Sequence, residues 1–96
     1  MYELSDVAAK DIEQILDRSI VDFGLPQTEL YYHSLKNCLG LLGDNPNMGS
    51  IADDIRPGYR RFAHESHVVF YRDTGRGILI VRILHKRMDI NKHIDK

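Results

Sequence analysis

The sequence has only one cysteine and no long apolar run, and each of these shortages argues against a class of protein. Cys38 has no partner for an internal disulfide, which is typical of a chain in a reducing compartment. No apolar stretch approaches the roughly 20 residues that span a bilayer. The first residues lack the basic and apolar regions of a signal peptide. We therefore expect a cytoplasmic protein without a membrane partner.

The length and composition suit one folded unit. The chain has 96 residues, which is enough for one modest hydrophobic core. Its hydrophobic content of 43% is that of a globular protein rather than a disordered segment. We expect a single domain over residues 1–96.

The net charge of -1 conceals two halves of opposite sign. Residues 1–55 contain ten acidic and three basic side chains, whereas residues 56–96 contain four acidic and ten basic ones. Beyond internal attraction, this predicts a positive surface that attracts an acidic polypeptide or nucleic acid. The pI near 6.5 lies below the value above about 9 that is typical of nucleic-acid-binding domains. We expect no direct sequence-specific DNA binding by this chain.

Apolar spacing predicts two helices after a short strand at Tyr2–Leu4. Ser5 or Asp6 can cap the first helix, and Gly24 is placed to end it. Pro26 suits the first turn of the second helix, which Gly43 ends. The predicted buried stripes comprise Ala8, Ile12, Ile15, Leu16 and Phe23 in the first helix, and Tyr31, Leu35, Cys38, Leu39 and Leu42 in the second. So short a connection predicts an antiparallel helical hairpin.

Three strands are predicted in the second half, at Tyr59–His64, His67–Arg72 and Ile78–His85. The last is the most apolar, which favours a central place in the sheet. The fold class is therefore α+β, with the order β-α-α-β-β-β and a helical hairpin packed on one face of an antiparallel sheet. The other sheet face is expected to be cationic.

The connecting segments are predicted from their turn-forming residues. Residues 44–58 are predicted to form a loop that Met48, Ile51 and Ile55 anchor. Residues 86–96 have room for one helical turn.

Two histidines, His64 and His67, lie on either side of a predicted tight turn. A zinc site needs more ligands than these two, and Cys38 lies in the helical layer. Surface histidines are therefore favoured over a metal site. Ser66 beside His67 lacks an orienting acid, so a nucleophile and base pair is disfavoured. We expect no metal and no cofactor.

Basic side chains near the last strands form the strongest candidate site. They are Arg60, Arg61, Arg82, His85, Lys86 and Arg87, with Met88 as a flexible apolar neighbour. If the strands of Arg60 and Arg82 are neighbours, their guanidinium groups can share a face. The cluster could bind RNA phosphates, with His85 as acid or base, or clamp the carboxylates of a protein partner. Arg82 could instead pair with an acid of its own chain, such as Asp89.

Several motifs in these segments match a known family nearly end to end. They are Ala8–Ala9 with Asp11–Ile12, Asn45-Pro46 with Gly49, Ile55-Arg56 before Gly58-Tyr59-Arg60, His67-Val68-Val69-Phe70-Tyr71, and Ile83-Leu84-His85-Lys86-Arg87-Met88-Asp89. In these motifs the chain resembles the ParE branch of the RelE/ParE toxins of bacterial toxin–antitoxin pairs. The last two segments carry most of the specificity.

The resemblance implies a protein toxin without enzymatic activity. Toxins of this branch bind and poison DNA gyrase, and a ParD-type antitoxin neutralises them in a hetero-oligomer. The implied partner-binding residues are Arg60, Arg61, Arg82, His85, Lys86, Arg87 and Met88. An acidic and aliphatic antitoxin segment is expected across the helical hairpin and the sheet.

The alternative is a ribosome-dependent mRNA endoribonuclease of the RelE type, with Arg60, Arg82 and His85 as catalytic residues. The RelE-type pattern places a tyrosine where this chain has Ile90. That difference favours the gyrase branch. A relative that retains only antitoxin binding is a third possibility.

Overall fold

The first half of the chain is a short strand followed by two long helices. The computed structural model describes residues 1–94, so Asp95 and Lys96, the last residues of the predicted domain and tail, lie outside the described part. Strand β1 is Tyr2–Leu4, helix α1 is Asp6–Phe23 and helix α2 is Leu25–Asp44. The predicted caps are confirmed at Ser5, whose side chain accepts a hydrogen bond from the Ala8 N–H, and at Gly24, which has φ 85°.

The second half supplies four strands and a short terminal helix. They are β2 (Ser50–Ile51), β3 (Tyr59–His64), β4 (His67–Asp73), β5 (Ile78–His85) and α3 (Ile90–His93). The three long strands and the helical turn in the tail were predicted, and the two-residue strand β2 was not.

The sheet is mixed rather than antiparallel. Its order is β1-β5-β4-β3-β2, and β1 runs parallel to β5 while the other neighbours are antiparallel. After β1 the chain passes through the helical hairpin and enters the sheet again at the opposite edge, as β2. Strands β2, β3, β4 and β5 then follow in antiparallel order, which brings β5 beside β1 and parallel to it. The middle strand is therefore β4, and β5 is an interior strand beside it.

Helix α1 covers the part of β5 that β1 leaves unpaired. The backbone N–H of Ser5 donates to the Ile80 carbonyl at 3.0 Å, and its hydroxyl donates to the Val81 carbonyl at 2.9 Å. Six residues further on, Asp11 accepts a bond of 3.0 Å from the Ile83 N–H. The start of α1 thus satisfies polar groups that a sheet edge would otherwise expose.

The main core lies between the helical hairpin and the sheet. Leu35, Cys38, Leu39 and Leu42 of α2 pack against buried residues of β4 and β5, with Ala8 from α1. This confirms the predicted stripe of α2. Phe23 departs from the prediction, because it is exposed at the tip of the hairpin, beyond the sheet.

The second face of the sheet is covered rather than openly cationic. A smaller apolar cluster forms there from Ala52, Ile55, Tyr59, Phe70, Leu84 and Ile94. The prediction of a cationic face was therefore wrong for the middle of the sheet, because loop 52–58 and α3 lie over it. Ile55 is an anchor as predicted, whereas Met48 and Ile51 are exposed and Ala52 takes the buried place.

The outer surface of the hairpin retains exposed apolar side chains, including Leu30 and Leu41. None of the helices within residues 1–94 combines the length and apolar character needed to cross a membrane.

Candidate functional site

The two arginines of β3 extend to opposite faces of the sheet and are engaged within the chain. Arg60 donates from Nη1 to the Gly49 carbonyl at 2.7 Å, on the face that carries the helices. Arg61 pairs with the Asp54 carboxylate and lies over the Phe70 ring, with its guanidinium carbon 5.9 Å from the ring centroid. Both side chains therefore help to hold loop 44–58 against the sheet.

Arg82 forms a bidentate ion pair with Asp11 of α1. Its Nε and Nη2 donate to the two carboxylate oxygens at 2.8 and 2.9 Å, and its Nη1 donates to the His93 carbonyl of α3. The Asp11 side chain is 8% exposed and that of Arg82 18%. The hydrogen bond to Asp11 raises the pKa of Arg82 above its ordinary value. An internal partner was one of the predicted outcomes, and the carboxylate that forms this bidentate contact is Asp11.

The three residues of the possible nuclease site are not brought together. Strand β4 lies between β3 and β5, so the strands of Arg60 and Arg82 are not neighbours. Arg60 lies opposite Tyr71 of β4, whereas Arg82 lies opposite Phe70, whose side chain points to the other face. His85 lies at the far end of β5. The condition for a shared guanidinium face, that the two strands be neighbours, is therefore not met.

The remaining cations form an exposed group just after β5. Lys86 and Arg87 are exposed, and Met88 beside them is 44% exposed. Within residues 1–94 neither cation forms an ion pair. The backbone of this segment is fixed, because the Lys86 N–H donates to the Ser66 carbonyl and the Met88 N–H to the His85 carbonyl. We call Lys86, Arg87 and Met88 the basic turn.

Three histidines form a row across the end of the sheet beneath α2. His64, His67 and His85 are successive cross-strand partners on β3, β4 and β5. The Tyr31 hydroxyl lies 2.6 Å from His67 Nδ1, and the Ser34 hydroxyl lies 3.1 Å from His64 Nε2. His64 and His67 are therefore not the free surface histidines that the sequence suggested. They join α2 to the sheet.

The histidine row keeps its middle member neutral. Burial, together with His85 and His64, lowers the pKa of His67 to about 4. Burial, together with Glu65 and Cys38, raises the pKa of Tyr31 to about 12. The phenol is therefore protonated and the His67 imidazole is uncharged near neutral pH.

Acid should weaken the fold through His67. Because its folded-state pKa is below the ordinary value of 6.5, the stabilisation is complete above pH 6.5 and is lost as the pH falls toward 4. After allowance for the solvent that reaches this half-buried ring, we expect the free energy of unfolding to fall by about 1–2 kcal/mol. Urea denaturation at several pH values between 7 and 4 measures this fall in the free energy of unfolding.

A matched pair of variants separates this effect from the titration of carboxylates. His67→Gln removes the titrating group, so its stability should depend less on pH across this range. His33→Gln replaces an exposed histidine of α2 and should behave like the parent. Equal acid sensitivity in the parent and in His67→Gln would contradict the assignment.

Sequence reasoning missed the residues that engage the candidate cations and histidines. Asp11, Tyr31 and Ser34 lie on the helices, 30 to 72 residues from the groups they bind. The only indication of these residues in the sequence was a polar group next to the apolar face of a predicted helix. Within residues 1–94, no three His, Cys, Asp or Glu side chains are placed to hold a metal ion.

An apolar groove runs between β1 and the helical hairpin. It is lined by Tyr2, Leu4, Ala9, Ile12, Tyr32, Leu35, Lys36 and Leu39. Lys36 is the only charged side chain in this lining, and its ammonium lies 5.2 Å from the centre of the Tyr32 ring. Because β1 is the first strand of the sheet, its outer edge borders the groove.

Comparison with known proteins places nearly the whole chain in one family. A family model described as the ParE toxin of the type II toxin–antitoxin system, parDE, matches residues 2–90. Toxin ParE1 of Mycobacterium tuberculosis is 39% identical over 94 residues, which are 97% of this chain and 96% of that protein. Toxin ParE1 of Caulobacter vibrioides is 37% identical over 93 residues, with the same two coverages.

A solved structure shows the same fold. A chain of the structure entitled "Chromosomal ParDE TA system from P. aeruginosa" superposes with a TM-score of 0.76, at 23% sequence identity, over 88% of this chain and 92% of the other. The mixed five-stranded sheet with its helical hairpin is therefore a fold found among ParDE proteins. From the family match and the two close relatives, this chain belongs to the ParE family of toxins of type II toxin–antitoxin systems.

Proposed function

We propose that the protein is a non-enzymatic toxin that poisons DNA gyrase and that a ParD-type antitoxin neutralises it. The observation that carries the proposal is the family match over residues 2–90 together with the close relatives named Toxin ParE1. Gyrase as the target rests on the resemblance of the C-terminal segment to the ParE branch. Antitoxin binding also has physical support in the surface of the molecule.

The basic turn supports an acidic partner. Lys86 and Arg87 carry two positive charges that no carboxylate within residues 1–94 neutralises. Exposed unpaired charges raise the rate at which an oppositely charged partner associates. Met88 adds a flexible apolar contact beside them. In this proposal Arg60, Arg61 and Arg82 act indirectly, by holding the loop, the sheet and α3 in place.

The groove beside β1 supports an aliphatic partner segment. An extended peptide laid along the free edge of β1 would gain backbone hydrogen bonds and place alternate side chains in the groove. Lys36 would meet the acidic side chains of such a segment. We therefore assign the antitoxin segment to the groove and the neighbouring sheet edge.

The geometry weighs against the nuclease alternative. Arg82 is held by Asp11 and Arg60 by Gly49, and His85 lies level with His67 of β4 rather than with Tyr71, the cross-strand partner of Arg60. Transition-state stabilisation in phosphodiester cleavage needs such groups to converge on one phosphate. The described residues offer no such convergence of these three.

Expression separates the two activities. Induced alone, the protein should arrest growth, and co-expression of the adjacent gene should restore it. Purified toxin should inhibit supercoiling and accumulate cleaved plasmid in the presence of gyrase, while cellular mRNA stays intact. Truncated transcripts without plasmid cleavage would support the nuclease instead. A correctly folded chain that is harmless when alone would count against both activities.

Charge reversal tests the basic turn. Lys86→Glu with Arg87→Glu should slow association with the antitoxin by about tenfold or more at low salt, because electrostatic steering is lost. Arg76→Glu provides a control, since it reverses an exposed charge in the turn before β5, at the opposite end of that strand. Stopped-flow or surface-based kinetics at two salt concentrations measures the rates. Equal slowing by both changes would indicate a general charge effect and remove the basic turn from the interface.

A further inference from the structure

His85 has a fixed tautomer. Its Nδ1 accepts a hydrogen bond of 3.1 Å from the Arg87 backbone N–H, so this nitrogen carries no proton. A neutral imidazole with one accepting nitrogen carries its proton on the other. His85 therefore presents Nε2–H as a donor.

His67 has the same tautomer for a different reason. The Tyr31 hydroxyl lies 2.6 Å from its Nδ1 and is the only hydrogen-bond partner of this imidazole within residues 1–94. Burial keeps this phenol protonated, so it donates to Nδ1. The single proton of the neutral imidazole is then on Nε2. Tyr31 thus acts as a positioning residue for a second N–H donor.

Both N–H groups are open to solvent. Within residues 1–94 neither Nε2 has a protein acceptor, and no buried polar side-chain atom lacks a partner. The two atoms must therefore be accessible. The rings stand edge to face, with centroids 5.4 Å apart and planes at 83°.

We propose that His67 and His85 form an anion site that takes one phosphate group of a nucleic-acid backbone, with the two Nε2–H groups as donors. His67 and His85 are cross-strand partners with their ring centroids 5.4 Å apart, so their donors are close enough to reach two oxygens of one phosphate group. Lys86 and Arg87 follow His85 directly and raise the local concentration of anions. Such a contact would let the toxin touch DNA that its protein target holds.

The charges around the row are compatible with an anion. His64 is occupied by Ser34 and by Glu65, whose carboxylate lies 3.6 Å from His64 Nε2. Within residues 1–94, Glu65 is the only carboxylate in contact with these side chains. Its carboxylate lies against His64, the member of the row that is not assigned to the ligand.

Imidazole-detected NMR of the full-length toxin tests the proposal with inorganic phosphate as the probe, at pH 7.5. The Nε2 resonances of His67 and His85 should shift together, with a dissociation constant on the order of 1 mM, as two hydrogen bonds to a charged group support. His85→Ala should weaken binding by about tenfold. Tyr31→Phe should release the His67 tautomer, visible in its nitrogen shifts, and also weaken binding. His33→Ala, outside the row, should change neither.

Parallel titrations identify the source of the anion. A short DNA duplex should shift the same two resonances more strongly than phosphate does, and added salt should reverse the shift. Acetate that binds as well as phosphate would overturn the assignment in favour of a protein carboxylate. Phosphate binding without duplex binding would overturn the nucleic-acid source, and no shift with either would overturn the site. The measurement uses toxin alone, so its failure leaves the gyrase proposal untouched.

Discussion

Replacing Arg82 with alanine should destabilise the fold by about 3–5 kcal/mol, the cost of leaving one partner of a buried ion pair without the other. The Asp11 carboxylate would remain largely buried, with only the Ile83 N–H bonded to it. A protein of this size has a total stability of roughly 5–15 kcal/mol. The urea midpoint of unfolding should therefore fall by about 2 M.

Two further variants make this expectation specific. Arg18→Ala removes a guanidinium from an exposed pair with Asp22, four residues along α1, and should cost at most about 0.5 kcal/mol. Asp11→Asn combined with Arg82→Met removes both charges while an amide oxygen still accepts from Ile83. It should recover most of the loss. A single Arg82 variant as stable as Arg18→Ala, or a double variant no better than the single one, would contradict the argument.

The same pair changes how toxicity data for Arg82 should be interpreted. The guanidinium joins α1, β5 and α3, so its loss would loosen the contact of α1 with β5 and the cover of the second apolar cluster together. Lost toxicity in Arg82→Ala is the expected result of a weakened fold. It becomes evidence for a direct contact only if the double variant keeps its stability and is still harmless.

Local patterns in the sequence were sufficient to predict most elements. The hydroxyl of Ser5, the φ-permissive Gly24 and the proline at position 26 set the hairpin, because each acts on its own neighbours. The turns at residues 65–66 and 73–77 likewise join adjacent strands, with Gly75 at φ 84°. Such features depend on a few consecutive residues and need no knowledge of the rest of the chain.

Contacts between residues far apart in the chain could not be predicted from local sequence patterns. The parallel partner of β1 lies 76 residues away, and Asp11 and Arg82 are 71 residues apart. A carboxylate beside an apolar helix face has the same sequence pattern whether it faces solvent or an arginine of the sheet. The second apolar cluster was not predicted, because Ala52 and Ile94 lie in a loop and a tail whose apolar residues have no helical or strand periodicity.

Gly49→Ala should be the most damaging change in the loop before β3. The Tyr71 hydroxyl accepts from the Gly49 N–H at 2.8 Å and donates to the Pro46 carbonyl at 2.7 Å. A Cβ on Gly49 would lie 2.4 Å from that hydroxyl and 2.8 Å from the Arg61 carbonyl. Neither the Arg61 backbone nor the buried Tyr71 ring can move away from this methyl group. The loop must therefore shift, and its hydrogen bonds to the Tyr71 hydroxyl must break. We expect a loss of about 2–4 kcal/mol in the free energy of unfolding.

Gly40→Ala is the matched control, with an effect of opposite sign. This glycine lies in α2, and a Cβ there would meet nothing within 4 Å. Alanine should stabilise the helix by up to about 1 kcal/mol, through its higher helix propensity. Urea denaturation of the two variants beside the parent measures both effects. Because the two substitutions add the same methyl group, the space around each glycine and its backbone setting separate their outcomes. Equal stability of the two variants would mean that loop 44–58 does not pack on Tyr71 as the structure has it.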